Sequence, residues 1–146
     1  ECQFEAAYAF TNGFAQVKRD GKWGYVSVEK NGSSIGCIYE DCYPFDNDYL
    51  AVVQYEGKQG CINTLGKIVI PCKYRHIEKA DSDGLRKVWG GLSEKDIYGN
   101  TETLYGYIDS KGNEVIPCKY TDTQVRQERM RLGVKMLKEK IESDDF

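Results

Sequence analysis

The sequence predicts an all-β fold, a tandem array of three-stranded antiparallel meanders that ends in an α-helix. The first observation is an internal repeat: the pentapeptide Ile-Pro-Cys-Lys-Tyr occurs at residues 70–74 and again at 116–120. The second is a regular series of short apolar runs separated by glycine-bearing turns, which is typical of short strands. The third is a change of period after residue 124, where apolar residues recur at helical spacing.

A short motif with a central glycine precedes each pentapeptide and marks the repeat units. It reads Lys-Gln-Gly-Cys-Ile at 58–62 and Leu-Tyr-Gly-Tyr-Ile at 104–108, and an earlier version, Lys-Trp-Gly-Tyr-Val, lies at 22–26. We therefore predict a repeat array over residues 1–123 and an amphipathic helix with its tail over residues 124–146. The individual repeats are predicted at about 1–9 (partial), 10–44, 45–79 and 80–123.

Each repeat is predicted to form a hairpin followed by a third strand. In the first repeat, residues 14–18 lead into Asp20-Gly21, a strong hairpin signal because both central residues need a positive φ. The return strand covers 23–28, and Asn31-Gly32 then turns the chain into a third strand at 35–39. We expect the repeats to stack along an axis, with a closed, propeller-like arrangement as the alternative.

Side-chain alternation assigns the two faces of the third strand. Ile70, Cys72 and Tyr74 are predicted to point inward, and Pro71 and Lys73 outward. Proline in a strand is tolerated at an edge, a strand start or a bulge, so each third strand is expected to begin at its proline. The motif glycines are expected to let an aromatic ring of an adjacent strand lie on the backbone. These glycines are Gly24, Gly60 and Gly106.

Four of the six cysteines, Cys2, Cys37, Cys72 and Cys118, occupy the same position in successive repeats. Zinc sites usually draw on paired Cys-x-x-Cys motifs, which are missing from this sequence, so core filling is favoured over a metal site or a disulfide. We predict that these cysteines are buried, reduced and unmetallated. Cys61 takes a tyrosine position of the other repeats and is also predicted to be buried.

No residue pattern in the sequence indicates catalysis. His76 is the sole histidine, it accompanies no Ser or Cys nucleophile motif, and we interpret it as a surface residue. The carboxylates are scattered through turns, where Asp and Asn serve turn geometry. The chain is therefore predicted not to be an enzyme, with no catalytic residue, cofactor site or metal site.

Two segments break the repeat period and are candidates for partner contact. An insertion at residues 89–104 lengthens the third hairpin, and its apolar residues Trp89, Ile97 and Tyr98 are predicted to bind a partner. The second segment is a predicted helix at about 124–142, in which Met130, Val134, Leu137 and Ile141 are spaced four, three and four apart. This stripe is predicted to cap the end of the array, with partner binding as the alternative.

The motifs of the chain resemble those of WG-repeat (KWG) proteins over most of residues 1–120. The resemblance is carried by Gly-Lys-Trp-Gly-Tyr-Val at 21–26, Gly-Tyr-Ile-Asp at 106–109 and the two pentapeptides. Gln59 and Tyr105 depart from the family pattern at the tryptophan position. The resemblance implies tandem β repeats from mostly bacterial proteins that act as binding or scaffolding modules, and it implies no catalytic residue.

The predicted function is a non-catalytic scaffold for protein–protein interaction, as a segment of a longer bacterial protein. A net charge of -3 and the lack of a basic run argue against nucleic-acid binding. No apolar run reaches membrane-spanning length, so no membrane insertion is expected. The alternative is a carbohydrate-binding or surface-adhesion module that uses exposed aromatics to bind glycans. The modest use of cysteine favours a reducing cytoplasm, against a secreted or surface location if a signal peptide lies upstream.

Overall fold

The computed structural model describes residues 4–27, 34–92 and 94–144, which form three antiparallel sheets and one C-terminal helix. Each sheet is built from four consecutive strands. Sheet 1 contains β1 (Ala6–Ala7), β2 (Phe14–Arg19), β3 (Lys22–Ser27) and β4 (Ile35–Tyr39). Sheet 2 contains β5 (Asp41–Cys42), β6 (Ala51–Tyr55), β7 (Lys58–Ile62) and β8 (Ile68–Tyr74). Sheet 3 contains β9 (His76–Ile77), β10 (Arg86–Leu92), β11 (Thr103–Ile108) and β12 (Glu114–Tyr120), and helix α1 spans Asp122–Asp144.

The predicted all-β repeat fold with a C-terminal helix is confirmed, but each sheet has a fourth, two-residue strand. A single residue, Glu40 or Arg75, separates the long last strand of one sheet from the short first strand of the next. Two-residue strands show no periodicity in the sequence, so they escaped the prediction. The predicted turn at Asn31-Gly32, and Cys2, lie outside the described residues.

The sheets stack face to face through two apolar cores. The first core joins sheets 1 and 2, and the second joins sheets 2 and 3. The first contains Tyr25, Ile35, Tyr39, Cys42, Phe45, Ala51, Val53 and Ile62. The second contains Leu50, Val52, Cys61, Ile70, Tyr74, Ile77, Val88 and Ile108. Neither described core joins sheet 1 to sheet 3, so the stack is open and no closed barrel forms. Sheet 2 contributes to both cores, so residues 51–53 of β6 and 59–62 of β7 are buried without alternation.

Burial alternates along the third long strand of each sheet, but the predicted common direction of Ile70, Cys72 and Tyr74 is wrong. Ile70 and Tyr74 belong to the second core, whereas Cys72 packs against the first core because the bulge interrupts the regular alternation. In β8, Ile70 and Tyr74 are buried and Cys72 is half-buried, whereas Pro71 and Lys73 are exposed. The strand does not begin at its proline, as predicted, but at Ile68. The proline instead lies in a bulge, where the ladder does not require an N–H donor at every residue.

The motif glycines are required by a close approach between two backbones. Gln59 pairs with Tyr74 and Cys61 with Ile70, so Gly60 alone faces the three residues 71–73. A Cβ atom built on Gly60 would lie 2.4 Å from the carbonyl oxygen of Ile70 and 2.7 Å from the backbone nitrogen of Cys72. The prediction of an aromatic ring on this glycine is therefore wrong, because the bulged backbone of the neighbouring strand occupies the space. The equivalent contacts to a carbonyl oxygen are 2.4 Å at Gly24 and 2.5 Å at Gly106.

The turns use acidic and amide side chains as predicted. In the turn after β11, the Asp109 carboxylate accepts hydrogen bonds from the backbone N–H groups of Lys111 and Asn113, each at 2.9 Å. Gly112 donates its backbone N–H to the Asp109 carbonyl and has a φ of 86°. The hydrogen bonds hold the pKa of Asp109 below its usual value even though partial desolvation opposes them. The same arrangement recurs in the turns that begin at Asn63, Asp81 and Asp96.

Helix α1 begins at a capping box just after β12. The Gln124 N–H donates to the Thr121 hydroxyl oxygen at 3.4 Å, and the Thr121 N–H donates to the Gln124 side-chain oxygen at 3.1 Å. The helix is two residues longer at each end than the predicted 124–142. Its first turns lie against β11 and β12, where Val125 is fully buried.

We expect Gly60→Ala to destabilise the fold by on the order of 1–3 kcal/mol or more, since the added methyl group would overlap a backbone carbonyl that cannot move alone. Gly36→Ala is the matched control, because Gly36 lies in the equivalent bulge of β4 with nothing within 4 Å of the added atom. Urea unfolding measures the stability of both variants. Equal midpoints for Gly60→Ala and the unmodified protein would contradict the backbone explanation.

Candidate functional site

The predicted partner-contact insertion is an extension of the β10–β11 hairpin. The two strands pair as far as Leu92 and Thr103, and a turn with Gly99 at a φ of 81° lies beyond them. Ile97 and Tyr98 lie in this turn, with 91% and 81% of their surfaces exposed. The tip of the insertion therefore presents two large apolar side chains to solvent.

Trp89, the third predicted contact residue, lies at the base of the insertion and not at its tip. Its ring stacks on His76 with a centroid distance of 4.3 Å and packs at a tilt on Tyr105 at 5.2 Å. The structure thus brings Ile97 and Tyr98 together but separates them from Trp89. His76, predicted at the surface, is half-buried against the indole ring.

These rings belong to a cross-strand row on sheet 3. In register, His76 lies opposite Trp89, Trp89 opposite Tyr105, and Tyr105 opposite Tyr120. All four residues are half-buried and lie on the outer face of sheet 3. The corresponding face of sheet 1 packs against sheet 2, and that of sheet 2 packs against sheet 3. The row was not predicted because it depends on strand register. The aromatic residues at facing positions of the hairpin are the signal that could have indicated it.

Helix α1 covers another part of the same face. The Lys87 ammonium contacts the Asp122 carboxylate at 2.6 Å and lies 4.8 Å from the centroid of the Tyr105 ring. The hydrogen bond from Lys87 holds the pKa of Asp122 below its usual value. The beginning of α1 is therefore fixed to sheet 3 by an ion pair next to the buried Val125.

A buried ion cluster joins sheet 2 to sheet 3. The Arg86 guanidinium, which is fully buried, contacts Asp46 at 2.7 Å and Asp48 at 3.0 Å, and donates to the Glu78 carbonyl at 3.2 Å. Burial disfavours the charged guanidinium, but the nearby negative groups outweigh it and the pKa of Arg86 is raised. The equivalent positions in sheets 1 and 2 are Ala15 and Ala51. The cluster was not predicted, although an arginine at a position that is alanine in the other two repeats is a detectable signal.

A similar cluster joins helix α1 to sheet 3. Arg129 contacts Asp81 at 3.1 Å and Asp83 at 2.6 Å, and its guanidinium carbon lies 5.6 Å from the centroid of the Tyr107 ring. Asp81 in this acidic turn lies 35 residues after Asp46, which is in the turn that contacts Arg86. The helix therefore binds sheet 3 with the type of contact that sheet 3 uses to bind sheet 2.

The predicted docking stripe of α1 faces solvent. Between 53% and 73% of the surface of each of its residues is exposed, so the prediction that this stripe covers the array is wrong. The helix docks through Val125 and Arg129, on another side, because those residues match the buried and acidic surface of sheet 3. From residue 137 to 143 every side chain is exposed. The stripe consists of Met130, Val134, Leu137 and Ile141.

A cleft of about 640 Å³ lies beside the stack, between the Asn12 turn, residues 43–47 and residues 76–79. Phe45 and Ile77 are among its buried apolar lining residues. Within the described parts of the chain, no three His, Cys, Asp or Glu side chains are grouped to hold a metal ion. None of the described helical residues forms a segment long and apolar enough to cross a membrane.

The repeat cysteines are less buried than predicted. Cys37, Cys72 and Cys118 are half-buried. Cys72 lies in the bulge of β8 and packs against the edge of the first core. Cys61 is fully buried as predicted, and Cys42 is also buried. Burial raises the pKa of the Cys61 thiol to about 12, so it is protonated at neutral pH.

Comparison with protein families identifies the repeats. The family model described as WG containing repeat matches residues 1–23, 24–58, 60–85 and 105–124. These matches cover well over half of the chain. The chain belongs to the WG-containing repeat family. The unmatched residues between the last two WG-repeat matches include the insertion, and comparisons with curated proteins and with solved structures give no match.

We expect Arg86→Ala to lower the free energy of unfolding of this WG-repeat chain by about 3–5 kcal/mol, because it leaves two largely buried carboxylates without their cation. The side chains of Asp46 and Asp48 are only 13% and 17% exposed. Arg129→Ala should have an effect of about 0–1 kcal/mol, since its carboxylate partners are more exposed. Urea unfolding of both variants tests the contrast, and equal losses would contradict it.

Thiol labelling should distinguish the cysteines by burial. With a maleimide at neutral pH, we expect Cys42 and Cys61 to stay unlabelled in the folded protein, since their thiols are inaccessible and have raised pKa values. Peptide mass spectrometry reads out each site, and the protein unfolded in guanidinium chloride provides the fully labelled control. Rapid labelling of folded Cys61 would contradict the packing of the second core.

Proposed function

We propose that this WG-repeat chain is a non-catalytic scaffold that binds another protein through helix α1. The observation that carries the proposal is the exposed apolar stripe of α1, whose four residues are more than half exposed. Apolar side chains at this helical spacing are the anchors that helices present to grooves and to other helices. A partner would remove them from water.

The free end of the helix supports the same function. Residues 137–143 are exposed on every side, so tertiary packing does not stabilise the last turns. Helical segments without such packing are marginal in water, and a partner would supply the missing contacts. Ile97 and Tyr98 add a second exposed apolar surface on the sheet to which α1 is attached.

The carbohydrate-binding alternative receives less support, because both tryptophan rings already have ring partners. Trp23 stacks on Tyr8 at 5.3 Å with an interplanar angle of 6°, and Trp89 stacks on His76. A sugar-binding platform needs accessible ring faces, which these stacks restrict. The stacking of His76 on Trp89 also supports a packing role for the histidine, in line with a non-catalytic scaffold.

The test is affinity capture from the native host with the tagged chain and two matched double variants. Leu137→Ser with Ile141→Ser removes half of the stripe, and Lys135→Ser with Glu142→Ser changes exposed residues away from it without changing the net charge. We expect a protein partner to bind the unmodified chain and the control variant. The purified partner should bind the stripe variant at least about tenfold more weakly, since burial of each aliphatic side chain contributes more than 1.4 kcal/mol.

Circular dichroism of each variant verifies that α1 remains helical. Equal binding of the partner to all three proteins would contradict the role of the stripe. Binding of the chain to glycans in an array, with no protein captured, would favour the carbohydrate-binding alternative instead.

A further inference from the structure

We propose that the exposed stripe of α1 pairs with an amphipathic helix of another protein that carries acidic residues on both flanks of its apolar seam. This inference rests on the proposed function and specifies the chemistry of the partner. It depends on the spacing of the stripe and on the charges beside it.

The spacing of the stripe matches a helix–helix seam. Intervals of four, three and four residues from Met130 to Ile141 are those of alternating a and d positions in a heptad. The docked side of α1 carries Val125 and Arg129, so the seam remains accessible while the helix is attached to sheet 3. The seam is thus compatible with a second helix alongside the folded chain.

The flanks of the stripe are basic. With Val134 at an a position, the flanking e and g positions hold Arg126, Arg131, Lys138 and Lys140, together with Gly133. Of the acidic residues nearest in sequence, Glu139 lies at an f position on the opposite side of the helix, and Glu128 lies at a b position beside Arg131, outside the e and g flanks.

Part of this positive charge lacks an internal counterion. Arg126 forms an ion pair with Asp122, and Arg131 forms one with Glu128. Lys138 and Lys140 are exposed, and neither forms an ion pair with another residue in the described part of the chain. They flank Leu137 and Ile141, the two stripe residues on the fully exposed end of the helix.

A second copy of the chain is a poor occupant of this surface. In a parallel pair, Arg126 of one copy would face Arg131 of the other, and in an antiparallel pair Arg131 would face Lys138. Both arrangements oppose like charges, which disfavours association. A helix with Glu at its own e and g positions would instead place a carboxylate opposite each of these cations.

The test uses two synthetic helical peptides with identical Ile and Leu seams, one with Glu and one with Lys at every e and g position. Fluorescence anisotropy measures their binding to the full chain. We expect the Glu peptide to bind at least tenfold more tightly than the Lys peptide, with an affinity that falls as salt is added. Lys138→Glu with Lys140→Glu should reverse this preference. Lys95→Glu with Lys111→Glu, which changes the net charge equally on exposed residues outside α1, should leave it unchanged.

Three results would overturn the inference. They are equal affinities for the two peptides, stripe-dependent dimers of the chain in sedimentation, and binding to anionic phosphatidylglycerol vesicles without binding to the Glu peptide. If the stripe variant loses its captured protein but the chain shows no preference for the Glu peptide, the proposed function stands and the acidic helix is wrong. If the stripe variant keeps its captured protein and the chain shows no preference for the Glu peptide, both proposals are wrong.

Discussion

The close approach of two backbones at a glycine is the constraint on which the architecture depends. At Gly60 the bulged backbone of β8 lies so close to β7 that a side chain would not fit between them. Gly24 and Gly106 make the same contact in the other two sheets. The bulge accommodates Pro71, and within it Cys72 packs against the first core while Ile70 and Tyr74 belong to the second. In each sheet, the third long strand can therefore pair with the second only because a glycine lies opposite the bulge.

The sheets and the helix are joined by a second recurring contact, an arginine held by an acidic turn. Arg86 binds the turn of sheet 2 from within sheet 3, and Arg129 binds the turn of sheet 3 from α1. The helix thus takes part of the position that a further sheet would occupy. This attachment leaves the other apolar side of α1 in solvent, and the same contact that caps the stack also presents the stripe.

The sequence by itself determined the repeat, the hairpins and which residues of the third strands are exposed. Pentapeptide recurrence and Asp20-Gly21-type turns are local signals, and the polar or turn-forming character of Lys73 and Pro71 indicates their exposure. The bulge that turns Cys72 toward the first core leaves no such local signal. Helix α1 was predictable within two residues at each end because its apolar spacing and charges persist over several turns. The exposed Ile97 and Tyr98 were likewise recognisable in a polar insertion.

Only the tertiary structure decided which surfaces meet. Two sides of α1 could have packed on sheet 3. The side with Val125 and Arg129 does so, because Asp81 and Asp83 lie where they can bind Arg129. The stacking of Trp89 on His76 depends on strand register, and the ion cluster at Arg86 depends on the distance between two sheets. Long-range contacts of this kind leave no local period in the sequence, so their physical origin lies in the packed fold.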